Sequence, residues 1–158
     1  MTQLFSALSV WLHSLATIVL IGHYLLLSVI YLPVLMKNPP DARNGAILSE
    51  ISKRSRPWLY ASLLIFLITG TYLTLVDPNY LGLGNFGNAW AILMLVKHIL
   101  ILGMIAMGFW FNAILRVGPL MSSNSGAALA FARFRNYSNW MALTGGLVLL
   151  LTAIAQIR

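Results

Sequence analysis

From residue 4 to residue 36 the chain carries no Asp, Glu, Lys or Arg, an apolar run longer than the interior of a small soluble domain uses. Three more apolar stretches follow, at 57–76, 89–115 and, counting an extension at its start, 126–157. Each is long enough as a helix to cross a hydrocarbon layer about 30 Å thick. Only 8% of the 158 residues are charged, where a soluble domain carries about a quarter, and the only acids are Asp41, Glu50 and Asp77. The expected fold is therefore all-α, an integral membrane four-helix bundle forming one four-span domain over residues 1–158.

The formal charge of +7 does not signal nucleic acid, because the basic residues lie between the apolar stretches rather than over a soluble face. Lys37, Arg43, Lys53, Arg54 and Arg56 precede the second span, and Arg116, Arg133 and Arg135 precede or begin the fourth. The linker at 77–88 (DPNYLGLGNFGN) has no basic residue. By the positive-inside rule the two basic loops face the cytoplasm, and both termini and the 77–88 loop face outward, in a multi-pass protein of the cell's inner (plasma) membrane. The first stretch lacks a basic flank before it and is too long for a secretory signal core, so it is expected to be retained.

Two loop segments read as helical. Residues 125–137 lack proline and extend the fourth span, with Ser125 as N-cap; residues 41–55 follow Pro39-Pro40 and prolong the second. Their basic ends could equally rest on anionic lipid.

There is no cysteine, so disulfides, thiolate metal sites and redox thiols are excluded. No carboxylate lies in a span, and neither a G-x-S-x-G elbow nor a phosphate loop is present, which removes carboxylate-pair and serine-hydrolase chemistry. What remains are Lys97 and His98 in the middle of the third span, and His13 and His23 in the first. Ionisable groups at that depth are rare without a function.

His13 and His23 are ten residues apart, about 15 Å along the axis and about 80° around it, so they cannot share one metal. His13 lies nine residues past Leu4 and His98 nine past Ala89, which puts those two at nearly equal depth on spans entering from the same side. Two imidazoles facing each other across a bundle suit axial haem ligation. This predicts haem b held by His13 and His98, with His23 as the alternative ligand. Lys97 is then an electrostatic partner for a propionate or a semiquinone, or for Asp77. The plainer reading is that the histidines only hydrogen-bond between helices. Copper is the alternative metal, with His13, Met94 and His98 as ligands, since thioether and imidazole suit Cu(I). Methionine in such a helix more often serves packing.

Several segments carry a family resemblance. Trp11–Gly22 (WLHSLATIVLIG) resembles the first helix of the copper-resistance D (CopD-like) membrane domain, with its histidine at His13. Arg56–Leu73 (RPWLYASLLIFLITGTYL) resembles the second helix, ending in Thr69-Gly70. Trp90–Asn112 resembles the third, with a mid-helix lysine at Lys97 and an asparagine at Asn112, and the last segment, preceded by FARFR, looks like the fourth. That family's fourth helix often begins with an acid, whereas Asn139-Trp140-Met141 has none. The resemblance implies copper handling with periplasmic copper-binding partners. A more distant likeness is to the membrane protoporphyrinogen oxidases, small four-helix proteins with a first-helix histidine and a third-helix lysine. His98 moves the pattern toward four-helix membrane b-type cytochromes.

Together these readings predict a haem-binding electron-transfer protein exchanging electrons with quinone or a larger redox complex; if an enzyme, it is a membrane oxidoreductase. A CopD-like copper transport component is the second reading, and an accessory subunit of a respiratory or photosynthetic complex is the third.

Overall fold

The computed structural model describes residues 2–37, 42–113 and 127–157, and every regular element in them is helical. Helix α1 (Thr2–Leu26) runs through a π-helical stretch, Leu27–Tyr31, into a short α2 (Leu32–Leu35). Then come α3 (Ala42–Leu75), α4 (Ala89–Ala113) and α5 (Ala127–Ile157). Four continuous helical segments, Gln3–Leu35, Arg43–Leu75, Ala89–Trp110 and Leu129–Ile157, are long and apolar enough to cross a membrane. The all-helical multi-pass expectation holds at that level. The proposed N-cap Ser125 and the end of the third span at 114–115 lie outside the described residues.

The helical extensions are present: α3 begins at Ala42 and α5 at Ala127. Pro57, which the sequence alone places at the first turn of the second span, is consequently interior to α3. It removes the N–H that would reach the Lys53 carbonyl. That carbonyl sits at the charged end of the helix, beside exposed Lys53 and Arg54, where water can take over the lost bond. Pro33 acts differently. It falls in α2 within the first span, so its missing N–H leaves the Val29 carbonyl without its usual i+4 donor. The helix widens into the π-helical turns just before it.

Helix α1 packs on both α3 and α5, and α4 packs on α5. Helices α3 and α4 hardly touch, and neither do α1 and α4. The bundle is thus a chain of seams, α3 to α1 to α5 to α4, left open between its two end members. One apolar cluster closes the basic end, where Leu27, Leu32 and Leu48 meet Phe131, Phe134 and Met141. A smaller one, Trp90, Ala91 and Ala155 with Met94 against it, closes the end carrying the 77–88 loop. Large apolar side chains such as Leu4, Ile18, Ile68 and Leu102 are exposed on the outside, as a lipid-facing surface requires.

In the 77–88 loop the Asp77 carboxylate accepts from the Asn79 backbone N–H at 2.9 Å. The Asn88 side chain caps α4 by accepting from Ala91 N–H at 2.7 Å. Gly82 (φ 101°) and Gly84 (φ 78°) take left-handed conformations that side-chain-bearing residues resist.

The α1–α5 seam depends on Gly145: a Cβ there would lie 3.1 Å from Ile21 Cγ2. Gly145→Val forces the two helices apart, and the expected loss is about 1–3 kcal/mol, the usual range for overpacking. A thermal unfolding midpoint in detergent equal to that of the unaltered protein would contradict this close approach.

Candidate functional site

His13 is seated in the α1–α3 seam. On α3, Phe66, Thr69 and Gly70 stand at i, i+3 and i+4 and so form one face toward α1. The His13 ring stacks on Phe66 with centroids 4.4 Å apart and planes 23° from parallel. Gly70 leaves room for the imidazole, since a Cβ there would stand 3.1 Å from His13 Cε1. Toward the 77–88 loop the seam continues through a Ser6–Tyr72 hydrogen bond of 3.0 Å and an edge-on Phe5–Tyr72 contact.

His13 Nδ1 lies 2.9 Å from Thr69 Oγ1, and Thr69 is buried at 7% exposure. The Thr69 hydroxyl also lies 2.6 Å from the Ile65 carbonyl and 3.4 Å from the Phe66 carbonyl. When its one proton goes to a carbonyl, it accepts from Nδ1–H and Nε2 carries the lone pair.

Lys97 is half-buried on α4. No carboxylate neutralises it among the described residues, where the one ion pair joins Arg54 to Glu50 at 3.3 Å. Asp77, the sequence-based candidate partner, is instead engaged with Asn79.

His98 differs from expectation. Its ring is exposed and Nδ1–H donates to the Met94 carbonyl of its own helix at 2.6 Å. Among the described residues no hydrogen bond or ring contact joins it to His13. The reason lies in helix geometry and packing. Adjacent residues project about 100° apart, and α1 and α4 share few close backbone approaches, so Lys97 is half-buried while His98 is exposed. Met94 packs against the Trp90 cluster, so the copper set His13, Met94 and His98 is not gathered at one point. No group of three or more His, Asp or Glu side chains converges among the described residues. His23, half-buried, makes an edge-on contact with Tyr24 at 5.2 Å.

A cavity of about 140 Å³ lies between the helices on the basic side of this site. Its wall is apolar except for Thr17, Tyr24, Arg56 and Tyr60, and it includes Phe66, which separates it from His13. Thr17 donates its hydroxyl to the His13 carbonyl at 2.7 Å. Tyr24 and Tyr137 share a hydrogen bond of 3.0 Å. An apolar cavity near 150 Å³ admits about one benzene ring, so this one does not enclose a macrocycle.

Sequence reasoning missed Phe66 and this phenol pair, and met Thr69 only through a resemblance. The stripe Phe66, Thr69, Gly70 was the available signal, being a small polar step on an otherwise apolar helix. No protein-family model, curated protein or solved structure matches the chain significantly.

Proposed function

We propose that the chain is an electron-transfer protein of the inner (plasma) membrane that holds haem b, with His13 as a ligand to the iron and Lys97 beside a propionate. What supports this reading is a half-buried imidazole whose Nδ1 lies 2.9 Å from the buried Thr69 hydroxyl, in a bundle that also holds a half-buried lysine with no carboxylate partner among the described residues. A charge at mid-span costs several kcal/mol unless paired, and the chain itself supplies no acid there. The bound group must then offer both a Lewis acid and negative charge. Haem b offers both. A bare copper ion meets the imidazole but adds positive charge near Lys97, which like-charge repulsion disfavours. When bound, haem supplies a one-electron iron couple.

The chain's own residues have distinct tasks. Thr69 hydrogen-bonds the ring and Gly70 gives it space. Phe66 packs one face of the imidazole, Lys97 sets the local charge, and the surrounding apolar side chains exclude water. The ring-sized cavity is a separate site. The basic end faces the cytoplasm in this reading, with the termini and the 77–88 loop outside.

Extraction of haem from the detergent-purified chain tests the proposal, with about one haem per chain expected; metal-free, colourless protein from haem-replete cells would refute it. Thr69→Val keeps the shape and removes the acceptor, leaving Nδ1–H buried without its partner at about 1–3 kcal/mol. Haem affinity should fall about 10- to 100-fold, as for other outer-shell partners of ligating histidines. Unchanged affinity by haem titration would show that Thr69 does not orient the ligand.

A further inference from the structure

The cavity that ends at Phe66 is long rather than round. Its α3 wall runs from Arg56 through Tyr60 and Leu63 to Phe66, ten residues or about 15 Å of helix rise. A hydrocarbon core about 30 Å thick gives each leaflet about 15 Å, so the slot has the length of one leaflet's acyl chain. Arg56 comes just before the apolar run of the second span, which sets that end of the slot at the membrane surface and Phe66 near the middle.

Polarity changes along the slot in the same direction. Arg56 and Tyr60, both exposed, stand at one end, and the α3 wall beyond them is apolar. Neither has a hydrogen-bond or ion-pair partner among the described residues. Lys53, one turn before Arg56, is exposed as well, whereas Glu50 is engaged by Arg54 at 3.3 Å. That end is therefore net positive. Ile105 and Phe109 of α4 line the slot too, and α3 and α4 hardly touch, so the slot lies along a seam that the chain itself leaves unfilled.

We infer that one phospholipid with a net negative headgroup completes the bundle here. Its phosphate accepts from the Arg56 guanidinium, and an ester carbonyl accepts from the Tyr60 hydroxyl, one turn or about 6 Å deeper. One acyl chain then follows α3 toward Phe66. A cavity of about 140 Å³ has the volume of roughly one benzene ring, so about six chain carbons are enclosed and the rest lies against neighbouring lipid. An acyl chain gains little by leaving lipid for an apolar wall, so the headgroup contacts set the affinity. This is one lipid at one residue, distinct from a diffuse attraction of the basic end to an anionic surface. It does not rest on the haem reading.

The experiment titrates phosphatidylglycerol in mixed detergent micelles into the delipidated, purified chain, with bound lipid counted by native mass spectrometry. Saturation at about one lipid per chain is expected, with binding about fivefold tighter than that of phosphatidylcholine. Inorganic phosphate alone should not compete. Arg56→Gln should weaken binding about fivefold or more. Leu63→Trp and Ile105→Trp, which fill the slot from opposite walls, should each weaken it about tenfold; circular dichroism identifies which of them folds. Arg133→Gln, at the basic end but outside the slot, should change it less than about twofold. His13→Ala should bind the lipid as the unaltered chain does, so a failure of the haem reading leaves this result standing. Non-saturable uptake would overturn the inference, as would equal losses in Arg56→Gln and Arg133→Gln. So would unaltered affinity in the folded tryptophan variants, or a co-purified ring compound that phosphatidylglycerol does not displace.

Discussion

His13→Ala is expected to purify without haem, whereas His98→Ala retains it. The two substitutions remove the same imidazole from spans of similar hydropathy, so their contrast reports position rather than composition. His13 is fixed by Thr69, packed by Phe66 and accommodated by Gly70. His98 is exposed, and among the described residues its ring bonds to its own helix. Losing a direct iron ligand costs more than the 10- to 100-fold loss typical of outer-shell partners, so no haem should survive purification from the His13 variant. Its fold should persist, since the substitution leaves an alanine where the neighbouring α3 face is already partly polar. Haem quantification beside far-ultraviolet circular dichroism separates the two. A haem-free His98→Ala protein with haem-loaded His13→Ala would reverse the assignment.

Lys97→Leu should push stability and ligand binding in opposite directions. In the ligand-free chain the ammonium is half-buried at mid-span with no acid to pair with among the described residues, a state that costs about 2.5–3.5 kcal/mol for a lysine at a helix centre on insertion scales. Snorkelling and local water reduce that figure, so a gain of about 1–3 kcal/mol on replacement by leucine is expected. The same change removes the counter-charge for a propionate, and haem affinity should fall at least tenfold. Stabilisation together with lost binding is the signature of a residue kept for function. A Lys97→Leu chain less stable than the original, measured by thermal unfolding without haem, would mean that the ammonium has a structural partner.

The architecture was legible in the sequence because bilayer thickness forces long apolar runs, and four of them stand out around Lys37–Arg56, the 77–88 loop and the Arg116–Arg135 region. The extensions of α3 and α5 beyond the apolar runs could also be read, from the absence of breakers. Pro57 reads from the sequence as a first-turn proline and lies instead inside α3, because a proline at a helix start and one inside a longer helix look alike when the preceding residues are themselves helix-forming. The π-helical turns before Pro33 were equally invisible.

The site was legible in its residues and not in its pairing. Depth can be counted from segment boundaries, and His13 and His98 do match in that count. Which helices are neighbours cannot be counted, and the packing order α3, α1, α5, α4 sends His13 toward Thr69 and leaves His98 exposed. Lys97, one residue away and 100° around the helix, is half-buried. Thr69 was hidden for another reason. A threonine in an apolar helix usually bonds back to its own i−4 carbonyl, and Thr69 does so; its second role, the hydrogen bond with His13, appears only when α1 lies alongside.

The most direct test of the account is the reduced-minus-oxidised absorption difference spectrum of the detergent-purified chain, recorded beside that of His13→Ala. The account predicts b-type Soret and α bands in the first, retained in His98→Ala and absent from the His13 variant. A featureless spectrum from haem-replete cells, or bands that persist without His13, would contradict it.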